Sequence, residues 1–172
     1  SFSVMANTLR GVYGTDVLLA TANSFTGSVL QADYNKKMAA SMIMPNGLMS
    51  RQRTMTGAEL KETVRAFVEG WEGGFVPFNR GSLPVVSGIA VEVKEASGSY
   101  TLTGITRNGQ PLRDDDTVTV TCLATEKQMA ALPASESGTS AGEDTWVKNT
   151  WRDHVSGGGA ALAEPENYMT LR

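Results

Sequence analysis

The chain has 172 residues, which is enough for one domain with a sizeable hydrophobic core. Hydrophobic residues make up 41% of the chain and charged residues 19%, the ordinary balance of a soluble globular protein. The formal net charge of −3 argues against nucleic-acid polymers and anionic membranes as partners. The apolar runs are far shorter than the ~18 residues that suggest a membrane span. The chain starts at Ser1 without a signal-peptide pattern, which predicts an excised fragment or a mature piece.

The N-terminal region predicts two helices separated by a short strand. Helical spacing over residues 3–13 ends at Gly14. The inward positions of this helix are Val4 or Met5, Leu9 and Val12. Residues 17–20 read as a short apolar strand, and residues 23–27 are polar and turn-like. Asp33 can cap a second helix. The shared face of that helix holds Tyr34, Met38 and Met42.

Residues 44–60 join a turn, a strand and a cleanly started helix without a gap. Pro45-Asn46-Gly47 signals the turn, and residues 48–55 can run as the strand. Thr56 then caps the helix, with Glu59 three residues on as the reciprocal partner of a capping box. The apolar positions at helical spacing are Leu60, Val64, Phe67 and Val68, and Gly70 ends the run.

The next region predicts a long loop followed by strands. Residues 70–83 form the loop and hold Trp71, Phe75 and Phe78. Residues 84–93 alternate as a strand does, with one side formed by Ile89, Val91 and Val93. A hairpin turns at Asn108-Gly109, between residues 100–107 and the chain from Gln110 onward. Residues 117–123 are rich in β-branched side chains and predict a further strand.

The C-terminal region predicts a flexible loop, a short helix and a tail. Residues 135–144 are small and polar and form the loop. Thr150 caps the helix, whose inward positions are Trp151 and Val155. Residues 157–172 form an extended tail that begins with three glycines. Helices and strands mix without a strict βαβ alternation, so the predicted class is α+β: a single domain over residues 1–172 with a mixed β-sheet packed by helices.

This order of motifs resembles the C-terminal domain of the 5′-nucleotidase family, which also includes UDP-sugar hydrolases and 2′,3′-cyclic-nucleotide phosphodiesterases. The family's Pro-Phe-Gly-Asn turn, aliphatic strand and Thr-Gly-x-x-Leu helix start are matched by Pro45, Gly47, Thr56, Gly57 and Leu60. Further matching segments, at compatible spacings, are Gly14-Thr15-Asp16-Val17, residues 25–29, residues 85–93 (VVSGIAVEV), residues 108–112 (NGQPL), Trp151-Arg152-Asp153 and the tail around Pro165. The similarity covers nearly the whole chain.

The resemblance implies a division of labour between two domains. In this family an N-terminal metallophosphoesterase domain holds two divalent metals and a catalytic His-Asp pair, and the C-terminal domain grips the nucleoside and helps to position the phosphate. This chain would be the nucleotide-recognition half of such a hydrolase, without catalytic residues, metal or cofactor of its own. Its partners would be that metallophosphoesterase domain of the same polypeptide and a nucleotide or nucleoside. The family pattern also implies a periplasmic, cell-surface or secreted location in bacteria.

The residues themselves agree with that division. A two-metal hydrolase needs several His and Asp ligands in a fixed array, and this chain has one His. We find no nucleophile elbow, P-loop, HExxH motif or zinc-finger cysteine pattern in it.

The family's recognition residues are altered here in three places. Asn46 stands where one base-stacking Phe is expected, and residues 123–129 (LATEKQM) lack the Gly-rich loop that carries the second ring. Thr26 stands in place of an Arg on the phosphate side, and Ala22 in place of an Asn. Either the ligand differs, or the domain has lost ligand binding and serves a structural or protein-contact role.

The candidate binding residues lie in the two turns, the strand after Gly47 and the aromatic loop. Arg51 and Arg53 are two apart on a predicted strand, so they share a face. Two guanidinium groups can clamp a phosphate or carboxylate, although a solvated outer face is the alternative. Phe75 and Phe78 can replace the missing rings or fold back onto the core. The full candidate set is Asn23, Thr26, Asn46, Arg51, Arg53, Phe75 and Phe78.

Four other polar groups are assigned no role in binding. Cys122, the single cysteine, predicts a buried and inert thiol. His154 predicts a surface or satisfied side chain. The three aspartates at 114–116 predict a solvated turn rather than a Ca²⁺ site. Glu143 and Asp144 have no partner that the sequence reveals.

Overall fold

The computed structural model describes residues 2–25, 41–43, 47–70, 84–132, 137–158 and 169–171. The helices in these segments are α1 (Phe2–Tyr13), α2 (Gly57–Glu69), α3 (Glu126–Ala131) and α4 (Val147–Ser156). The strands are β1 (Val17–Thr21), β2 (Leu48–Thr56), β3 (Pro84–Ser87), β4 (Ala90–Ala96), β5 (Ser99–Arg107), β6 (Gln110–Pro111), β7 (Thr117–Thr125), β8 (Thr139–Ser140), β9 (Thr145–Trp146) and β10 (Met169–Leu171).

The strands form two mixed sheets, where the sequence predicts one. The first sheet has the order β3-β1-β7-β2-β8, and β9 also pairs with β2. Only the β1–β7 pair in that sheet is parallel among the pairs described. The second sheet has the order β10-β4-β5-β6, with β10 parallel to β4. The predicted α+β class with helices packed on mixed sheet is confirmed.

The first sheet buries both of its faces. One face shares a core with α2 and the second sheet, and this core contains Leu60, Phe67, Val91, Ile105 and Val120. The other face is covered by α1 and α4, through a core that contains Met5, Leu9, Leu18, Leu123 and Trp151. Because both faces are covered, β1 is apolar on both sides, and β7 is buried on both sides from Val120 to Ala124.

The junction of β2 and α2 forms as predicted. The Thr56 hydroxyl accepts a hydrogen bond from the Glu59 backbone N–H at 3.2 Å, and the Glu59 carboxylate accepts one from the Thr56 N–H at 2.8 Å. Gly57 donates its own N–H to the Asp116 carbonyl at 2.7 Å. The backbone comes so close here that a Cβ on Gly57 would lie 1.8 Å from the Arg113 carbonyl oxygen. Only glycine fits at this position.

The Asp16 carboxylate ties three strands together. It accepts hydrogen bonds from the Thr119 backbone N–H at 2.8 Å, from the Thr119 hydroxyl at 3.0 Å and from an Arg107 guanidinium N–H at 2.7 Å. The Asp16 N–H donates to the Thr119 hydroxyl in turn at 2.9 Å. Asp16 immediately precedes β1, Thr119 lies in β7, and Arg107 ends β5 in the other sheet. One side chain therefore holds the two sheets to each other.

The predicted strand over residues 84–93 is divided into β3 and β4, which belong to different sheets. The break falls at Gly88 and Ile89, where Gly88 has a φ of +87°. A Cβ at Gly88 would lie 1.9 Å from the Asp16 carbonyl oxygen. The predicted side formed by Ile89, Val91 and Val93 is nonetheless buried throughout. The alternation is real, but the close approach to Asp16 turns the chain from one sheet into the other.

Two predictions about helices are wrong. Val12 is 38% exposed on α1, whereas the inward positions Met5 and Leu9 are fully buried. Thr150 lies inside α4 rather than capping it, because the helix begins three residues earlier with Trp146 as its N-cap. Trp151 is buried as expected. The predicted hairpin at Asn108-Gly109 forms, and both turn residues have positive φ.

The predicted loop at 135–144 lies partly on the edge of the first sheet. Thr139 and Ser140 form β8 opposite Thr54 and Arg53 of β2, and the Ala141 N–H donates to the Gln52 carbonyl at 3.1 Å. Its flexibility stays a prediction. The predicted tail includes β10, which pairs with residues 91–93 of β4. Of the predicted second helix, Met42 is described and is buried, whereas Tyr34 and Met38 lie outside the described residues, as does the aromatic loop with Trp71.

We expect Gly57→Ala to destabilise the fold by about 1–3 kcal/mol, because the added methyl overlaps a backbone carbonyl that cannot move alone. The matched control is Gly47→Ala, since a Cβ at Gly47 meets nothing within 4 Å. Urea unfolding of both variants measures the difference. Equal midpoints for the two variants would contradict the close approach.

We expect Asp16→Ala to lower the free energy of unfolding by about 1–3 kcal/mol, because it removes charge-assisted hydrogen bonds and leaves the Thr119 N–H without its acceptor. Asp115→Ala is the control, because that carboxylate is 77% exposed and pairs with an exposed Arg113. We expect the control to stay within about 0.5 kcal/mol of the parent. Thermal and urea unfolding measure both, and an equal loss in the two variants would refute the role given to Asp16.

Candidate functional site

Three of the segments predicted to face a ligand meet at one edge of the first sheet. β1 and β7 are parallel, with Leu19 beside Cys122, so their C-terminal ends lie at the same edge. β2 is antiparallel to β7 and begins at that edge, with Leu48 opposite Thr125. The turn after β1, the start of β2 and the end of β7 are thus neighbours in space.

The turn after β1 presents one of its side chains to solvent. Residues Ala22–Ser24 form a short 3-10 helix, closed by a hydrogen bond from the Phe25 N–H to the Ala22 carbonyl at 3.1 Å. Ala22, Ser24 and Phe25 are buried, whereas Asn23 is exposed. Phe25 makes an isolated bridge to Ile43 and so belongs to the core. Within the described residues 22–25 of this turn, Asn23 is the exposed side chain, and its predicted role in binding stays a prediction.

Four candidate residues, Thr26, Asn46, Phe75 and Phe78, lie outside the described residues. Their predicted roles stay predictions.

The segment after β7 forms a capped helix. The Thr125 hydroxyl accepts from the Gln128 N–H at 3.3 Å, and the Gln128 side-chain oxygen accepts from the Thr125 N–H at 3.0 Å. This capping box starts α3, which buries Met129 in the core. The chain here folds back against the domain, and its sequence carries no aromatic ring.

Arg51 and Arg53 share a face of β2, as predicted. They lie level with Cys122 and Val120 of β7. At ~3.3 Å per residue, Arg51 is about 10 Å and Arg53 about 16 Å along the strand from Leu48. The structure therefore brings the two arginines together, but it sets them back from the Asn23 turn.

Arg51 has a partner that the sequence does not reveal. Its Nε lies 3.3 Å from an Asp144 carboxylate oxygen, with the two side chains 21% and 34% exposed. Arg53 donates an Nη1 hydrogen to the Gln52 carbonyl at 3.1 Å. Asp144 directly precedes Thr145 of β9, which lies opposite Ser50, so the register of β9 brings Asp144 next to Arg51. A separation of 93 residues hides this contact from any local sequence pattern.

Cys122 lies in the core beneath the two arginines, as predicted. Burial raises the pKa of its thiol from the ordinary 9.0 to about 12, against a smaller opposing effect of the Arg51 and Arg53 charges. The thiol is therefore protonated and unreactive at neutral pH.

The three consecutive aspartates at 114–116 each form an ion pair with a basic side chain. Asp114 pairs with Lys61, while Asp115 and Asp116 pair with Arg113, so residues 114–116 form a solvated turn. Within the described segments, no group of three or more His, Cys, Asp or Glu side chains is arranged to hold a metal ion. No described helix has the length and apolar character needed to cross a membrane.

Sequence reasoning missed a cleft at the opposite edge of the first sheet. The cleft has a volume of about 280 Å³ and is open and polar. Its lining residues are Arg107, Asn108, Gln110, Pro111, Asp116 and Thr117. Arg107 here is already bonded to Asp16, and Asp116 to the Arg113 N–H.

Comparison with known proteins supports the fold. No protein-family profile and no curated protein matches the chain. A Staphylococcus aureus protein assigned as a 5′-nucleotidase matches 98% of the chain with a TM-score of 0.70 and 12% identity. A 5′-nucleotidase precursor from Thermus thermophilus matches 98% of it with a TM-score of 0.66 and 14% identity. The sulfate thiohydrolase SoxB of Thermus thermophilus matches 99% with a TM-score of 0.61 and 10% identity.

These matches confirm the predicted 5′-nucleotidase C-terminal-domain-like fold. The chain spans about a third of each of the three proteins, 36%, 34% and 31% of their lengths. At 10–14% identity the likeness is one of fold.

Five residues of the matching segments have structural roles in the described part of the chain. Asp16 joins the strands, Thr56 and Gly57 start α2, and Gly88 packs against the Asp16 carbonyl. Leu112 is buried and donates its N–H to the Ile105 carbonyl at 2.9 Å. These motifs therefore indicate how the chain folds rather than what it binds.

We expect the stability of the chain to fall from about pH 9 upward, in part through Cys122. The pKa of the Cys122 thiol is higher in the folded chain than in the unfolded chain, so the unfolded chain loses the proton first as the pH rises. The contribution of this thiol to the free energy of unfolding is therefore complete below pH 9 and is lost as the pH rises towards 12. The loss reaches about 1.4 kcal/mol per pH unit. Urea unfolding between pH 8 and 11 gives the free energy of unfolding of the unmutated chain and of Cys122→Ala. The free energy of the variant should fall less steeply with pH. Parallel curves would contradict the assignment.

Proposed function

We propose that this chain is the nucleotide-recognition domain of a two-domain, metal-dependent 5′-nucleotidase-like phosphoesterase. The observation that carries the proposal is the match of 98% of the chain to only about a third of two 5′-nucleotidase structures. A second, larger part of the parent protein would hold the divalent metals and perform hydrolysis. This chain would contribute binding and would supply no catalytic residue.

Polar side chains at the end of β1 and further along β2 support a binding role. Asn23 can donate and accept hydrogen bonds with the edge of a base or sugar. Arg51 and Arg53 present two guanidinium groups on one face, which suits a phosphate. The extracytoplasmic location of the parent is part of the same proposal and rests on the family pattern.

A second function is favoured by the altered recognition residues. The motifs that the chain retains are structural, while the expected rings at Asn46 and residues 123–129 are absent. A domain kept for scaffolding or for protein contact would show this pattern. Its test is the same, because such a domain binds no nucleotide.

We expect AMP, UMP, adenosine or UDP-glucose to give saturable amide shifts in an NMR titration of this chain. The shifts should fall on residues 22–25 and 47–53, because these segments meet at the proposed site. Asn23→Ala should weaken the shifts, since it removes an exposed hydrogen-bonding side chain without disturbing the core.

The control is Asn149→Ala, which removes a side-chain amide from an exposed position on α4 and should bind nucleotide as the unmutated chain does. Shifts that are absent at millimolar ligand would contradict nucleotide recognition by this chain and support the scaffolding function. A full-length reading frame that lacks a metallophosphoesterase domain upstream of this chain would also overturn the proposal.

A further inference from the structure

Trp146 is an exposed aromatic ring fixed to the edge of the first sheet. It is 47% exposed, although large apolar side chains are usually withdrawn from water. It lies in β9 directly opposite Met49 of β2, and its neighbour Thr145 lies opposite Ser50. The Thr145 hydroxyl turns to the α1 side, where it is 2.9 Å from the Ser50 hydroxyl and 3.3 Å from the Tyr13 hydroxyl. Strand alternation therefore places Trp146 on the opposite face, with Met49.

The two arginines occupy that same face. Arg51 follows Met49 by two residues, and Arg53 follows by four, so all three side chains point the same way. Arg51 lies opposite Cys122 and Arg53 opposite Val120, and these two β7 residues belong to the same core, so the arginines share its face of the sheet. Trp146 and Arg51 are diagonal neighbours across the β2–β9 pair, ~7–8 Å apart at the backbone and within reach of long side chains.

Asp144 contacts one of the side chains on this face. It precedes Trp146 by two residues, and its carboxylate lies 3.3 Å from the Arg51 Nε, so Trp146 lies beside Met49 and Asp144 beside Arg51 along the same edge of β2. The carboxylate positions the Arg51 guanidinium through Nε. It also places a negative charge where an anionic ligand would approach Arg51, and like charges repel.

We propose that Trp146, Arg51 and Arg53 form a subsite for a flat aromatic ligand that carries an anionic group. The ring stacks on the exposed face of Trp146, and the anion binds the guanidinium groups beside it. Asp144 holds Arg51 in place and limits the affinity for the anion. Resting on the proposed function, the ligand is a nucleoside monophosphate, and Trp146 supplies the stacking ring from a strand that lies outside the three altered recognition segments.

The subsite is tested by isothermal titration of this chain with AMP, adenosine and ribose 5-phosphate. Adenosine has the ring without the anion, and ribose 5-phosphate has the anion without the ring. Trp146→Ala should weaken AMP and adenosine binding by about 5- to 100-fold and leave ribose 5-phosphate unchanged. Trp146→Phe keeps a ring and should retain most of the affinity.

The charged partners give the reciprocal result. Arg51→Gln should weaken AMP and ribose 5-phosphate and leave adenosine unchanged. Asp144→Asn keeps an oxygen for the Arg51 Nε but removes the negative charge, so AMP should bind about two- to five-fold more tightly. The control is Val12→Ala, which removes exposed apolar surface from the α1 side and should bind all three ligands as the parent does.

The outcomes separate this subsite from the proposed function. If the parent chain binds AMP and Trp146→Ala binds it equally well, the subsite is overturned and nucleotide recognition stands. The unmutated chain could bind none of AMP, adenosine and ribose 5-phosphate, yet bind indole-3-acetate more tightly than Trp146→Ala does. In that case the subsite stands and the nucleotide assignment is overturned. If the parent binds none of these four ligands, both are overturned.

Discussion

The carboxylate of Asp16 is the constraint on which the arrangement of the two sheets depends. Through Thr119 it fixes the start of β1 against β7, and through Arg107 it attaches the second sheet. The backbone at Asp16 also receives Gly88, where the chain passes from one sheet to the other. Hydrogen bonds to a charged group in a partly buried position are strong and directional, so this cluster sets both spacing and orientation. All of it lies at the start of β1, at the far end of the strands from the proposed binding edge.

The described residues of the matching segments lie at junctions where a glycine, a helix cap or a partly buried charge is required by geometry. The described turns at the other edge carry no such requirement, and there the chain has a 3-10 turn that starts at Ala22 and a capped helix after Thr125. The likeness to the solved structures is one of fold, with an identity of 10–14% and a TM-score of 0.61–0.70.

Sequence reasoning succeeded where the determinant is local. The capping box at Thr56, the Asn108-Gly109 turn and the β-branched run of β7 each depend on residues a few positions apart, and each forms as predicted. It failed where the determinant is a distant neighbour. β3 and β4 read as one strand because the alternation continues past Gly88, and only the approach to Asp16 separates them.

The same limit applies to the candidate site. β8 and β9 are two residues long, too short to show a period of two, and they exist because the edge of β2 offers backbone hydrogen bonds. The Arg51–Asp144 and Met49–Trp146 pairs follow from that register and could not be derived from spacing. The shared face of Arg51 and Arg53 could be derived, because it needs only strand alternation.

The parallel pairing of β10 with β4 has a consequence for how the protein is made. β10 follows every other described strand in the chain, yet it covers the outer side of β4 over residues 91–93. While the ribosome is still extending the polypeptide, that edge of β4 has no partner from β10 in the nascent chain. An unpaired edge of this kind recruits strands from other molecules. The second sheet is therefore exposed to aggregation in the interval before β10 leaves the ribosome, and the synthesis rate sets the length of that interval.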